Sequence, residues 1–191
     1  MGSRSRRAAF VAAFLIAVLA VSVYAYLASL PSPPGPRVTI TSPPLEFSMQ
    51  IDKTQYNLGE NMTIRFWLKN TSNMTITLHY SSIFPYEGGH GMPMLFDFII
   101  TSANGTEVYR WSEGHAAAEV VYEFTLDPGQ EINQTNIWFQ TSWDLLHTKE
   151  VQVPAGTYYI RGVVPPGRVG FGVNGVGQIA LETPSVAFVT S

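Results

Sequence analysis

From residue 45 onwards, apolar and polar residues alternate along the chain with a period of two rather than the helical period of 3.6. In TIRFWLK, Ile64, Phe66 and Leu68 fall on one face, and TITLHY and EVVYEFTL alternate in the same way. Turn-forming residues separate such segments at 70–73, 103–105, 127–130 and 154–156. The pattern predicts an all-β domain over residues 45–191, an immunoglobulin-like antiparallel β-sandwich of about eight strands.

A different pattern occupies the N-terminus. Residues 8–30 form 23 consecutive positions without a charge, about 34 Å as a helix, and Arg4, Arg6 and Arg7 precede them. This predicts one transmembrane signal anchor at 8–30, a cytoplasmic basic end at 1–7, and a single-pass cell-membrane protein whose C-terminal domain is extracellular. A secretory signal cleaved after Ala25 is the alternative, but the apolar run is longer than the usual 7 to 15 residues.

The segment between the anchor and the domain is rich in proline. PSPPGP at 31–36 cannot form a helix and favours extended polyproline geometry. Residues 31–44 are therefore predicted to be a stiff stalk.

Glycosylation sequons give a separate test of the outward placement. Five of the eight asparagines begin an Asn-x-Ser/Thr sequon, and their turn-rich contexts predict exposed acceptors. Polar turn residues without sugar are the simpler alternative, because Asn is favoured in turns. The candidate glycosylation sites are Asn61, Asn70, Asn73, Asn104 and Asn133.

Composition narrows the possible functions. The chain has no cysteine, so its fold depends on its core rather than on disulfides. Beyond residue 30 there are eight basic and 14 acidic residues, a net charge of about six negative, which argues against binding to nucleic acid.

Four segments, in order, resemble one known family. They are NMTIRFWLKNTSNMTITL, LFDFIITSANGTEVYRWSEG, LDPGQ and VPAGTYYIRG. In this combination the chain resembles the intracellular proteinase inhibitor (BsuPI) domain over about residues 45–165. The resemblance implies a small immunoglobulin-like module without catalytic residues. The chain departs from the family in its anchor, in the insertion SSIFPYEGGHGMPM at 81–94, and in a C-terminal extension.

The residues themselves also predict a protein that is not an enzyme. Ser112 and His115 are neighbours in RWSEGH, but no G-x-S-x-G elbow accompanies them and a turn explains the segment. Asp97 is expected to accept hydrogen bonds in a hairpin.

The insertion contains the one candidate metal site. His90, Met92 and Met94 alternate, and imidazole and thioether ligands together suit Cu(I). A copper site would need a further ligand, His79 or His115. The alternative, a loop that covers one end of the sandwich, is favoured, so no cofactor is predicted.

Two function classes follow. In the first, the domain binds an unknown protein partner, a proteinase being one case, through anchors at Phe84, Tyr86, His90, Met92 and Trp143. In the second, it is a structural subunit of a surface layer, filament or membrane complex. The Gly-rich tail at 167–177 and SVAFVT after it would then supply a strand exchanged between copies.

Overall fold

The computed structural model describes residues 18–19, 21–23, 26, 34–81, 96–112, 121–144, 149–164, 169–172 and 180–191. The chain divides after Pro33, and residues 34–191 form one compact unit. Most of the predicted anchor lies outside the described residues. Those of its residues that are described are helical, and the Ser22 hydroxyl donates a hydrogen bond to the Val18 carbonyl at 2.9 Å. Within the described ranges, no helix has the length and apolar character needed to cross a bilayer.

The compact unit is built from strands. Those described are β1 (Arg37–Ser42), β2 (Leu45–Ile51), β3 (Gln55–Tyr56), β4 (Met62–Asn70), β5 (Ile76–Ser81), β6 (Asp97–Ser102), β7 (Glu107–Arg110), β8 (Val121–Leu126), β9 (Glu131–Trp138), β10 (Thr141–Asp144), β11 (Lys149–Gln152), β12 (Gly156–Val164), β13 (Val169–Gly172), β14 (Leu181–Glu182) and β15 (Val186–Thr190). The all-β prediction is confirmed. The count of about eight is too low for the described part of the chain, because bends divide long strands and several pairings involve only two to four residues.

The strands form two principal sheets. One has the order β1-β2-β4-β9, and the other has the order β3-β15-β12-β6-β7 with β14 beside β12. A three-stranded sheet, β13-β5-β8, and the hairpin β10-β11 complete the described pairings. The pairs are antiparallel except β15 with β3, which is parallel.

The two principal sheets pack face to face around an aromatic core. Alternate residues of β4, including Ile64, Phe66 and Leu68, are buried, so the face predicted for this strand is confirmed. The ring of Phe66 lies 5.8 Å from that of Phe96, which precedes β6 in the opposite sheet. Trp138 of β9 meets Phe188 of β15 at 5.8 Å in an edge-on contact. Such ring pairs add to the stabilisation that burial of their area provides.

At its centre, the core depends on a residue without a side chain. A Cβ atom on Gly162 of β12 would lie 2.8 Å from Cε1 of Phe66, 3.2 Å from Cζ of Phe47 and 3.3 Å from Cβ of Met49. All three neighbours belong to the opposite sheet, in β2 and β4. The sheets therefore approach closely here because residue 162 is glycine.

The predicted stalk is wrong at its C-terminal end. Residues 37–42 form β1, which pairs with β2 from Arg37 opposite Gln50 to Ser42 opposite Leu45. Even before β1, the Gly35 N–H donates to the Asp52 carbonyl at 2.8 Å. The chain therefore joins the sandwich from residue 34, and polyproline geometry does not extend through Pro43 and Pro44, where the chain turns from β1 into β2.

Asn70, predicted to be an exposed glycosylation acceptor, is instead completely buried. Its Nδ2 donates to the carbonyls of Met74 at 2.8 Å and Leu126 at 2.9 Å. These bonds hold the bend where β4 passes into β5 beside β8. Because Nδ2 is the atom to which an N-linked sugar attaches, Asn70 cannot carry a glycan in this fold.

Exchange of SVAFVT between copies stays a prediction, but the structure shows where this segment pairs within its own chain. Residues 186–190 form β15, which pairs with β12 from Ile160 opposite Val186 to Gly156 opposite Thr190. The strand lies between β12 and β3 in the chain's own sheet, with alternate residues buried. It is thus already committed to an intramolecular pairing.

We expect Gly162→Ala to lower the free energy of unfolding by about 1–3 kcal/mol, because the new methyl group must displace Phe66 in a packed core. Gly156→Ala is the matched control on the same strand, since a Cβ there would meet nothing closer than Tyr158 at 3.7 Å. Denaturant titration of both variants measures the difference. Equal effects at the two positions would contradict the close approach of the sheets.

Candidate protein-binding site

Most of the predicted contact residues lie outside the described residues. This holds for Phe84, Tyr86, His90, Met92 and Met94 of the insertion, and for His115. His79 is on β5, opposite Glu123 of β8 and Gly170 of β13. Among the described residues, no three His, Asp or Glu side chains come together as a metal site. The copper hypothesis therefore remains a prediction about residues beyond the described ranges.

Trp143, the remaining predicted contact residue, lies in the hairpin of β10 and β11, which is separate from the principal sheets. Strand β10 pairs with β11 from Thr141 opposite Gln152 to Asp144 opposite Lys149, with Trp143 opposite Glu150. The described hairpin residues join neither principal sheet by strand pairing. Lys149 and Glu150 are exposed. The described residues at the start of β11 are therefore open to solvent.

The root of this hairpin is fixed by a single residue, Gln140. It has a φ of 57°, in the left-handed region that glutamine seldom adopts, and its side chain is completely buried. Such a backbone conformation costs of the order of 1–3 kcal/mol and persists only when its surroundings enforce it.

The surroundings of Gln140 supply that enforcement. Its Nε2 donates to the carbonyls of Asn57 at 2.9 Å and Glu60 at 2.6 Å. Its Oε1 accepts from the Gly59 N–H at 3.2 Å. One amide group thereby satisfies three backbone groups of the turn between β3 and β4. The hairpin root is tied to a segment some 80 residues earlier in the chain.

Hydrogen bonds also hold the first and last residues of the hairpin. The carbonyl of Gln140 accepts hydrogen bonds from the Val153 N–H and from Nε2 of Gln152, each at 2.8 Å. On the other strand, the carbonyl of Thr141 accepts from Nε1 of the buried Trp138 at 2.9 Å. The entry and exit of the hairpin are therefore held by the core.

A second rigid element, the hairpin of β6 and β7, lies beside the first, because β10 contacts β7. The key residue is Asp97, which is buried. Its Oδ1 accepts hydrogen bonds from the N–H groups of Phe98 at 2.8 Å and Ser112 at 3.1 Å. Its Oδ2 lies 3.9 Å from Nη1 of Arg110. The carboxylate thus joins the start of β6 to the residues that follow β7, as the sequence pattern predicted for a hairpin acceptor.

Arg110 itself is held by a second carboxylate. Its Nε and Nη2 donate to Oε1 and Oε2 of Glu107, both at 2.9 Å, in a two-bonded fork. Ser112 serves in the same hairpin by donating to Asp97, which leaves it in a structural role among the described residues.

Burial dominates the titration of Asp97. Desolvation raises the pKa of this carboxyl above its ordinary value, although the hydrogen bonds from Ser112 and Phe98 and the charge of Arg110 act in the opposite direction. Nearby, burial also raises the pKa of the Tyr109 phenol to about 12, with smaller contributions from the negative charges of Glu150 and Asp97. The pKa of Tyr109 therefore depends on a charge in each of the two hairpins.

Gln140 could not be predicted from the sequence, because glutamine has no preference for positive φ and the turn that its side chain binds lies about 80 residues earlier. The role of Asp97 could be predicted, because a carboxylate between two aromatic residues in a strand is expected to accept hydrogen bonds.

We expect Gln140→Ala to lower the free energy of unfolding by about 2–4 kcal/mol, because three backbone groups lose their partner and a buried side chain is removed. Gln55→Ala is the control, since Gln55 is exposed. Denaturant titration measures both. A loss no larger than that of the control would show that the amide does not hold the hairpin root.

We expect Asp97 to make the domain less stable as pH rises. The unfolded pKa is about 3.9 and the folded one is raised, so between these values the folded state binds more protons. The stability of the native chain relative to Asp97→Asn should accordingly fall as pH rises from about 4 and then level off above the folded pKa. Asp127→Asn, in an exposed turn, controls for the loss of one carboxylate. A relative stability that rises with pH would mean that Arg110 and the N–H groups outweigh desolvation.

Solved structures with detectable likeness have low TM-scores. A β-glucosidase from Listeria innocua in complex with glucose is 12% identical with a TM-score of 0.38, and the alignment covers 76% of this chain and 16% of that chain. The C-terminal domain of wzt is 7% identical, with a TM-score of 0.41 and coverage of 84% and 83%. Spo0M, a sporulation control protein from Bacillus subtilis, is 12% identical, with a TM-score of 0.36 and coverage of 78% and 50%. These likenesses carry no argument about function, and this chain spans only 16% of the β-glucosidase.

No curated protein matches the chain. A family match, by contrast, is extensive: the sequence pattern of the intracellular proteinase inhibitor family, BsuPI, matches residues 49–166. The matched region begins within β2 and extends past β12, so it includes Gln140, the β10-β11 hairpin, and Asp97 with its hydrogen bonds. Because the match covers more than half of the 191 residues, the chain belongs to the intracellular proteinase inhibitor (BsuPI) family.

Proposed function

We propose that this domain is a non-enzymatic protein-binding module with proteinase-inhibitor-like function, and that the β10-β11 hairpin is its contact surface. The observation that carries the proposal is the family match over residues 49–166, which includes the whole hairpin and its root. In this proposal the sandwich is an immunoglobulin-like scaffold, and its partner is a proteinase.

The geometry of the hairpin root supports this choice of surface. An inhibitor must enter a proteinase cleft without paying a large ordering cost, so its contact segment has to be rigid before it binds. The three side-chain hydrogen bonds of Gln140 and the bond from Trp138 to Thr141 meet that requirement. The proposed surface includes Trp143, since large aromatic residues are frequent anchors in protein interfaces.

We further propose that the domain works outside the cytosol on an N-terminal anchor. The support is in the sequence: an uncharged stretch at 8–30 follows three arginines, and four sequons besides that of Asn70 lie in the domain. The family name describes inhibitors inside cells. This chain would therefore carry a family scaffold to a different compartment.

We expect the purified full chain to slow at least one proteinase in a panel that covers the serine, cysteine, aspartic and metal-dependent classes, with an inhibition constant in about the micromolar range. Residual activity against a peptide substrate is the measurement. The absence of slowing at about 10 μM across the panel would overturn the inhibitor proposal.

The hairpin is tested separately by substitution. Trp143→Ala should weaken inhibition by about tenfold or more, as for an interface anchor, and Lys149→Glu should weaken it through a charge change at an exposed position. Trp67→Ala, on the outer face of the four-stranded sheet, is the matched control and should leave inhibition unchanged. Inhibition that persists in both hairpin variants would show that the contact surface lies elsewhere on the domain.

A further inference from the structure

We propose that the outer face of the four-stranded sheet is a glycan-bearing face, with Asn61 and Asn133 as its acceptors. The sugar on Asn61 covers an exposed apolar pair at the end of β9, one residue on the strand and one just beyond it. This inference rests on the proposed placement of the domain outside the cytosol, where N-linked sugars are attached.

The apolar pair consists of Ile137 and Phe139. Ile137 is 48% exposed and Phe139 is 56% exposed, whereas Trp138 between them is 1% exposed. Ile137 is on the outer face of β9, and Phe139 directly follows Trp138, the last residue of the strand, so the two exposed side chains are near each other at the strand's end. Exposed neighbouring large apolar side chains mark a surface that something else covers.

The strand register places a sequon across from this pair. Thr63 is opposite Ile137 and Met62 is opposite Trp138, the last pair of the ladder, and Asn61 and Phe139 are the residues immediately beyond that pair. Asn61 is exposed, and Asn61, Met62 and Thr63 form a complete sequon. Directly opposed residues in an antiparallel pair have Cβ atoms about 4.5–5.5 Å apart. Because Asn61 and Phe139 each adjoin the opposed pair Met62 and Trp138, a sugar on the amide nitrogen of Asn61 would begin close to Phe139.

The second acceptor lies on the same face. Asn133 is exposed on β9, directly opposite Trp67 of β4. The guanidinium of Arg37 lies 4.2 Å from the centre of the Trp67 ring, so a sugar on Asn133 would border a stacked Arg–Trp pair. Six residues separate Trp67 from Asn61 along the strand direction, a spacing of about 20 Å, which leaves room for both sugars.

The chemistry of a sugar suits these positions. A pyranose ring has one face lined with C–H groups, and aromatic rings bury large apolar areas against such surfaces.

The glycan would also protect the edge of the sheet. Among the described strands, β9 is the last in the order of its sheet, and unpaired strand edges invite association with other chains unless they are blocked. Bulky, hydrated sugars on that strand would prevent it.

Asn104 provides a matched control. It is exposed in the turn between β6 and β7, where its Oδ1 accepts hydrogen bonds from the Ser102 hydroxyl and the Thr106 N–H. The neighbouring residues of its turn, Ala103 and Gly105, are small. A sugar on Asn104 would extend into solvent without an aromatic surface.

The first experiment is translation of the full chain with microsomes, with protease protection as an independent measure of translocation and mass spectrometry of peptides as the measure of occupancy. We expect Asn61 and Asn133 to be occupied in protected chains. Protected chains that lack sugar at both positions would overturn this inference and leave the proposed export intact. Chains that are not protected would overturn the export and the inference with it.

The second experiment tests whether the sugar covers Phe139. The full chain is produced in glycosylating cells, and thermal unfolding midpoints are compared in detergent. Asn61→Gln should lower the midpoint by about 2–4 °C in the native background and leave it unchanged in a Phe139→Ser background. Asn104→Gln should have no such dependence. An Asn61→Gln effect that is the same in both backgrounds would show that the glycan does not pack on Phe139.

Discussion

The contact between the two principal sheets at Gly162 is the constraint on which the rest of the domain depends. The chain has no disulfide to hold the sandwich together, so the stabilisation must come from interlocking side chains. Gly162 lets β12 approach Phe47 and Phe66 of the facing sheet within van der Waals distance. Phe96 and Phe98 pack against the rings of Phe47 and Phe66, and the hairpins leave the sandwich beside this aromatic cluster.

That packing explains how a small domain can hold strained and costly features. A buried carboxylate at Asp97 and a left-handed backbone at Gln140 each cost free energy, and both persist because surrounding hydrogen bonds over-determine them. They lie where two hairpins leave the core. Tyr109 connects them, since its ring stacks on Phe98 at 5.5 Å and lies 6.0 Å from Trp138. Rigidity in this domain is therefore concentrated at the roots of the hairpins.

Local pattern predicted the strands but not their partners. The alternation in β4 identified its buried face correctly, because apolar and polar residues alternate along a half-buried strand. The bend at Asn70 has no such pattern: its sequon and its neighbours are typical of an exposed turn, and only Leu126 and Met74, which receive its hydrogen bonds, show that it is buried. Likewise, Pro43 and Pro44 suggested a stalk because proline content says nothing about pairing between β1 and β2. The candidate site was even harder to predict, because Gln140 binds residues 57–60, about 80 positions earlier in the chain.

The position of β15 has a consequence for the order in which the domain is made. This strand lies between β3 and β12 rather than at an edge, yet it follows both of them in the chain. While the polypeptide is being synthesised, the inner edge of β12 and the short β3 must therefore wait, unpaired, for a neighbour that is still to be made. The large sheet can close only when Val186–Thr190 has emerged. Until then the edge of β12 that pairs with β15 remains open to other strands.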